Sequence, residues 1–109
     1  VTRNRTLQNR QRARISREVE EVVSLALGAS RDARLRDLAV HSVVSSADGA
    51  RMVVRVVLSK VGTFEDLEAA YLALAQAKAW LRQQLASDIN KKRTPDLEFQ
   101  VFPSWEAAP

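Results

Sequence analysis

The chain has 109 residues, 46% of them apolar, with no cysteine and a net charge of +4. That describes one domain with material for a packed core, and it argues against wholesale disorder, disulfides and thiolate metal sites. No apolar run approaches the roughly 18 residues that cross a bilayer, so no membrane partner is expected and the chain reads as soluble and internal.

Residues 1–17 hold six arginines and no acid, residues 18–77 carry a net −3, and residues 78–109 a net +1 with every basic group at or before Arg93. Basic patches separated by a mildly acidic body suit a polyanion. Residues 1–14, with Arg3, Arg5, Arg10, Arg12 and Arg14, read as a flexible or weakly helical basic arm suited to phosphate contact. A solvated tail and an Arg-rich targeting remnant are the competing readings.

From Ile15 the pattern is helical. Ile15, Val19, Val22, Val23, Ala26 and Leu27 form one apolar stripe, Arg17 and Glu21 have the spacing of an ion pair, and Gly28 is the expected stop. A polar connection to Asp37 follows, in which Arg31, Arg34 and Arg36 alternate with Asp32 and Asp37 around Leu35, so local pairing is expected. Two strands come next. In the first, Leu38, Val40 and Val44 are expected on one face, with Ala39, His41 and Val43 on the other. Ala47-Asp48-Gly49 makes the turn, and Met52, Val54, Val56 and Leu58 give the second strand a fully apolar face.

Thr63 is an N-cap, able to accept from the Asp66 amide, and Glu65, Asp66 and Glu68 complement the helix dipole. Phe64, Leu67, Ala70, Tyr71 and Leu74 mark one helical face; Ala77, Leu81, Leu85 and Ile89 mark a second, with Trp80 and Gln84 beside it. The two patterns meet at Ala77-Lys78-Ala79. Trp80 could stack on a base, but its spacing points to partial core burial. Lys78 and Arg82 share a face next to the Leu81 stripe, and the helix runs on into Lys91-Lys92-Arg93. Pro95 ends it, and Leu97, Phe99 and Val101 alternate as a third strand.

The order helix, strand, strand, helix, helix, strand predicts an α+β domain over 15–102 with a tail at 103–109. A tight hairpin joins the first two strands, and a two-helix crossover returns the third parallel to its neighbour. The result is a three-stranded sheet with helices on one face. No catalytic constellation, metal cluster or phosphate-cradling glycine loop is visible, so neither enzyme activity nor a cofactor is expected. The lone His41 reads as a structural histidine. The binding signal is Lys78, Arg82, Lys91, Lys92 and Arg93 together with Arg10, Arg12 and Arg14 of the arm.

In this ordered set the chain resembles the ribosome-binding factor A family over roughly Arg14 to Phe102. The anchors are Arg14-Ile15-Ser16-Arg17-Glu18-Val19, then Asp32-Ala33-Arg34-Leu35, similar to an Asp-Pro-Arg-Leu signature, and the valine-rich strand from Ala50 to Leu58. Ala77-Lys78-Ala79-Trp80-Leu81-Arg82 and Arg93-Thr94-Pro95-Asp96-Leu97-Glu98-Phe99 complete it. The resemblance implies a type II KH-like fold, αββααβ, in which the GxxG loop is absent and a kinked helix junction at Ala77 and Ala79 replaces it. Here Ala79 stands where the family has glycine, and alanine favours helix by about 1 kcal/mol, which implies a shallower kink. The chain also stops soon after Phe102, short of the extension of many members.

The implied function is a non-enzymatic assembly factor in the cytoplasm, or in an organellar matrix or stroma. It would bind the small ribosomal subunit and its precursor rRNA, with no direct base readout predicted, and a GTPase would help release it; a monomer suffices. A general RNA-binding domain and a protein-interaction module for an acidic partner are the alternatives.

Overall fold

The computed structural model describes residues 2–60, 62–88 and 94–109, and of residues 2–9, 11, 12 and 88 the backbone alone. In chain order the elements are α1 (Thr2–Ala29), α2 (Ala33–Arg36), β1 (Leu38–Ser45), β2 (Arg51–Leu58), α3 (Phe64–Asp88) and β3 (Asp96–Phe102). The α+β class and the three-stranded sheet are as expected. The order αββααβ is corrected in two places: a short α2 is added, and the two helices before β3 are one.

The expected arm is the first half of α1. No glycine or proline interrupts the chain from Thr2 to Leu27, and Arg, Gln and Leu favour helix. At 28 residues α1 is about 42 Å long, which accounts for the 48 Å long axis of the molecule. Ile15, Val19, Val22, Val23, Ala26 and Leu27 do face the core. Gly28 is not the stop: α1 continues to Ala29, and the Ser30 amide donates to the Leu27 carbonyl at 3.2 Å. The helix ion pair is Arg14–Glu18 at 3.4 Å rather than Arg17–Glu21 among the described residues.

In the connection, Asp32 caps α2 by accepting from the Arg34 amide at 2.9 Å. The Arg34 guanidinium donates back to Asp32 at 2.8 Å, and Arg36 donates to the carbonyls of Ser30 and Arg31 at 2.9 and 2.8 Å. The expected local pairing is therefore present, and Leu35 anchors the segment in the core.

The sheet order is β1-β2-β3, with β1 antiparallel and β3 parallel to β2. Gly49 takes φ 72° in the hairpin turn, a conformation that costs a glycine little. The register slips between Val40 and Ser42, leaving His41 as a bulge. An inserted residue reverses the alternation beyond it. Val43, opposite Val54, therefore packs on the core, and Val44 is 42% exposed, the reverse of the expected faces.

Met52, Val54, Val56, Leu97 and Phe99 turn one face of the sheet toward Val19, Val23 and Leu27 of α1 and Leu74, Leu81 and Leu85 of α3. The helices thus cover a single face, and burial of each such side chain is worth about 1.5–3 kcal/mol. Beyond β3 the chain turns back, and the Trp105 ring lies 4.4 Å from that of His41.

Candidate nucleic-acid interface

Helix α3 positions the site. Its start is fixed by a reciprocal cap: the Asp66 amide donates to Thr63 Oγ1 at 3.2 Å, and the Thr63 amide donates to Asp66 Oδ2 at 2.7 Å. Each bond satisfies an amide that the first turn leaves without a helical partner. Downstream, Leu67, Ala70, Ala73, Leu74, Ala77, Leu81, Gln84 and Leu85 form one buried or half-buried stripe.

That stripe passes straight through the expected junction. Its three- and four-residue steps keep phase across Ala77-Lys78-Ala79, and Ala79 supplies helix propensity where glycine would withdraw it. The backbone is one α-helix from Phe64 to Asp88. The junction at Ala77 and Ala79 is therefore a correction: Ala77 is a half-buried stripe member packed on the core, and Ala79 is exposed. Phe64 and Tyr71 are corrected too. They are 72% and 57% exposed, because the core stripe runs through Ala70, Ala73 and Leu74 instead.

The outward face then reads Phe64, Tyr71, Ala75, Lys78 and Arg82, at steps of seven, four, three and four. Trp80 points elsewhere and keeps 36% of its surface exposed, outside the core cluster. Between this face and β3 lies a cleft of about 320 Å³, walled by Tyr71, Ala75 and Lys78 on the helix, by Asp96 and Glu98 on the strand, and by Arg51 of β2. The small Ala75 opens the wall between an aromatic ring and a cation.

Lys78 Nζ lies 3.4 Å from Asp96 Oδ1, with both side chains about half exposed. Partial burial pushes the Asp96 carboxyl up. The hydrogen bond and charge of Lys78, the Leu97 amide and the charge of Arg82 outweigh it and hold the group below its ordinary value. Lys78 is thus paired with this carboxylate, and the Arg82 charge one turn along the helix acts on it from further off. A second concavity, of about 290 Å³, sets Arg34 and Lys60 against Asp37 and Asp66. Its charges balance, and Arg34 is already paired with Asp32.

Arg10 and Arg14 are exposed and four residues apart on α1, hence on one face, with Arg14 paired to Glu18. The side chain of Arg12 and all of Lys91, Lys92 and Arg93 lie outside the described residues. His41 has Nδ1 3.1 Å from Ser42 Oγ and its ring against Trp105, a structural role as expected. Sequence reasoning missed Tyr71, Arg51 and Asp96. Only the exposure of α3 and the β2–β3 register, which sets Arg51 beside Asp96, reveal them.

Two comparisons with known proteins bear on this arrangement. A family model described as ribosome-binding factor A matches residues 9–108. Among solved structures, the ribosome-binding factor A of Thermus thermophilus is similar at 31% identity and a TM-score of 0.75, over 90% of this chain and 99% of that one. A homology model of the Thermus thermophilus factor, fitted into a cryo-electron microscopy map of a 30S–RbfA complex, is similar at 33% identity and a TM-score of 0.61, over 90% of this chain and 94% of that one. A Thermotoga maritima protein solved by NMR shares the fold at 20% identity and a TM-score of 0.68, over 83% and 85% of the two chains.

Proposed function

The chain belongs to the ribosome-binding factor A family, and from that premise we propose that it binds the small ribosomal subunit and assists maturation of its rRNA. The contact runs through the outward face of α3, where Lys78 and Arg82 meet phosphates and the cleft beside β3 admits the RNA chain. The observation that carries this reading is the pairing of two cations with an exposed tyrosine and a small side chain, Ala75, on one face of a continuous helix. The complex of the related Thermus thermophilus factor with the 30S subunit supports the choice of partner. Arg10, Arg12 and Arg14 on α1, with Lys91, Lys92 and Arg93, extend the basic surface. The protein acts as a monomeric, non-enzymatic assembly factor of the cytoplasm, and a GTPase partner helps release it.

Co-sedimentation with small ribosomal subunits at low and moderate salt tests this. Phosphate contacts release counterions, so pelleting should weaken steeply as salt rises. Lys78→Glu/Arg82→Glu should abolish it. Pelleting that survives the double substitution would move the contact off α3, and salt-independent pelleting would rule out the phosphate mechanism. Nuclease treatment separates the alternative: a complex with an acidic protein would persist after the RNA is digested.

A further inference from the structure

The cations on which the RNA reading rests already have an anion beside them. Asp96 opens β3, and its own amide donates to the Ala50 carbonyl at 2.9 Å, so the strand end is tied to the hairpin. Lys78 sits in the middle of a continuous 25-residue helix. The 3.4 Å pair therefore bridges two ordered elements along the seam where α3 packs on β3, with both side chains about half exposed. Arg82, one turn further along the same face, also acts on the Asp96 charge. The pair lies in the wall of the cleft that holds Tyr71 and Arg51.

Resting on the RNA-binding reading above, we propose that Asp96 is a specificity-determining residue: its carboxylate occupies the place of an RNA phosphate at Lys78. An exposed ion pair of this kind is weak and screened by salt, so a phosphate can displace it. The displaced carboxylate stays on its strand and repels the incoming phosphate. A single phosphate contact therefore gains little. Only an RNA that engages Arg82 and the rest of the basic surface at the same time offsets the loss. Asp96 thus suppresses loose attachment to arbitrary RNA, a device that works by like-charge cost rather than by new attraction.

The test measures equilibrium binding to purified small-subunit rRNA across a salt series for wild type, Asp96→Asn, Lys78→Gln, Asp96→Asn/Lys78→Gln and Arg82→Gln. Glu21→Gln, on the exposed surface of α1, is the control for an equal change in net charge. Thermal unfolding confirms that each variant is folded. Asp96→Asn should tighten binding about fivefold at low salt and steepen the slope of log affinity against log salt by about 0.7 to 0.9, because no freed carboxylate then takes back a counterion when phosphate reaches Lys78. The gain should vanish when Lys78 is also replaced, and unrelated single-stranded RNA should gain more than small-subunit rRNA.

Unchanged or weaker binding by Asp96→Asn overturns the proposal. So does an equal gain from Glu21→Gln, or a gain that persists in the Lys78→Gln background. These failures leave the RNA reading standing as long as Lys78→Gln and Arg82→Gln still weaken binding. If neither weakens it, the RNA reading of α3 fails, and the role of Asp96 falls with it.

Discussion

The rings of His41 and Trp105 lie 4.4 Å apart at 52°, joining the bulge of β1 to the segment that follows β3. Tilted aromatic pairs contribute about 0.5–1.5 kcal/mol beyond the area they bury. A double-mutant cycle of His41→Ala and Trp105→Ala, read by urea unfolding, should give a coupling energy in that range. Additive single effects would mean that the tail rests on the sheet without the ring contact holding it.

Continuity of α3 makes the Ala77–Ala79 region a place where helix propensity is felt. Ala79→Gly should cost about 1 kcal/mol, the ordinary price of glycine in an exposed helix interior. Ala79→Pro should cost about 3 kcal/mol or more, because it removes a helical hydrogen bond and clashes with the preceding turn. Leu81→Ala, two residues on and fully buried, should cost about 2–5 kcal/mol through lost transfer energy and a cavity. Denaturant unfolding gives all three, and Ala79→Gly should still pellet with small subunits. A folded Ala79→Gly protein that no longer binds would contradict a site built on an unbroken helix.

The start of α3 is sensitive for a different reason. A Cβ on Gly62 would meet Leu58 Cδ1 at 2.7 Å and the Asp66 side chain at 3.0 and 3.1 Å. The Leu58 tip can swing aside, so the cost of Gly62→Ala rests on Asp66: it should destabilise by about 1 kcal/mol, the worth of the cap that the shifted Asp66 side chain serves. Thr63→Ala should cost about 1 kcal/mol through loss of the same cap. Because both act on Asp66, the double variant should cost less than the sum of the two, which thermal or chemical unfolding can measure.

Acid stability follows from the depressed carboxylates. In Asp48, bonds from the Ala50 amide and the Ser46 hydroxyl hold the carboxyl below its ordinary value of 3.8; in Asp32 the Arg34 guanidinium and amide do so. A depressed folded value gives stability that is complete above the unfolded value and lost as pH falls through the folded one. Asp48→Asn should thus be less stable than wild type at neutral pH. The gap should close as pH drops below about 3.8. Urea midpoints measured from neutral to strongly acid pH will show it, and a gap that stays constant would assign the effect to turn geometry rather than to charge.

What the sequence determined by itself was local or periodic. The Thr63 cap, the Asp48-Gly49 turn, the stripe from Ile15 to Leu27 and the alternation of β2 depend on neighbours within a few residues. Each keeps its meaning wherever the segment packs. The antiparallel hairpin and the parallel return of β3 followed from the lengths of the connections, and the face with Lys78 and Arg82 followed from their spacing.

Tertiary structure decided everything that needed a phase or a partner. The bulge at His41 reversed the faces of Val43 and Val44, because one inserted residue shifts a period of two and nothing in the local composition marks it. Packing on the sheet chose the Ala70–Ala73–Leu74 stripe over the one through Phe64 and Tyr71, leaving both aromatics outside and the helix unbroken. Lys78 and Asp96 are 18 positions apart in the chain, yet their charges meet, because α3 lies against a strand whose register only the parallel sheet sets.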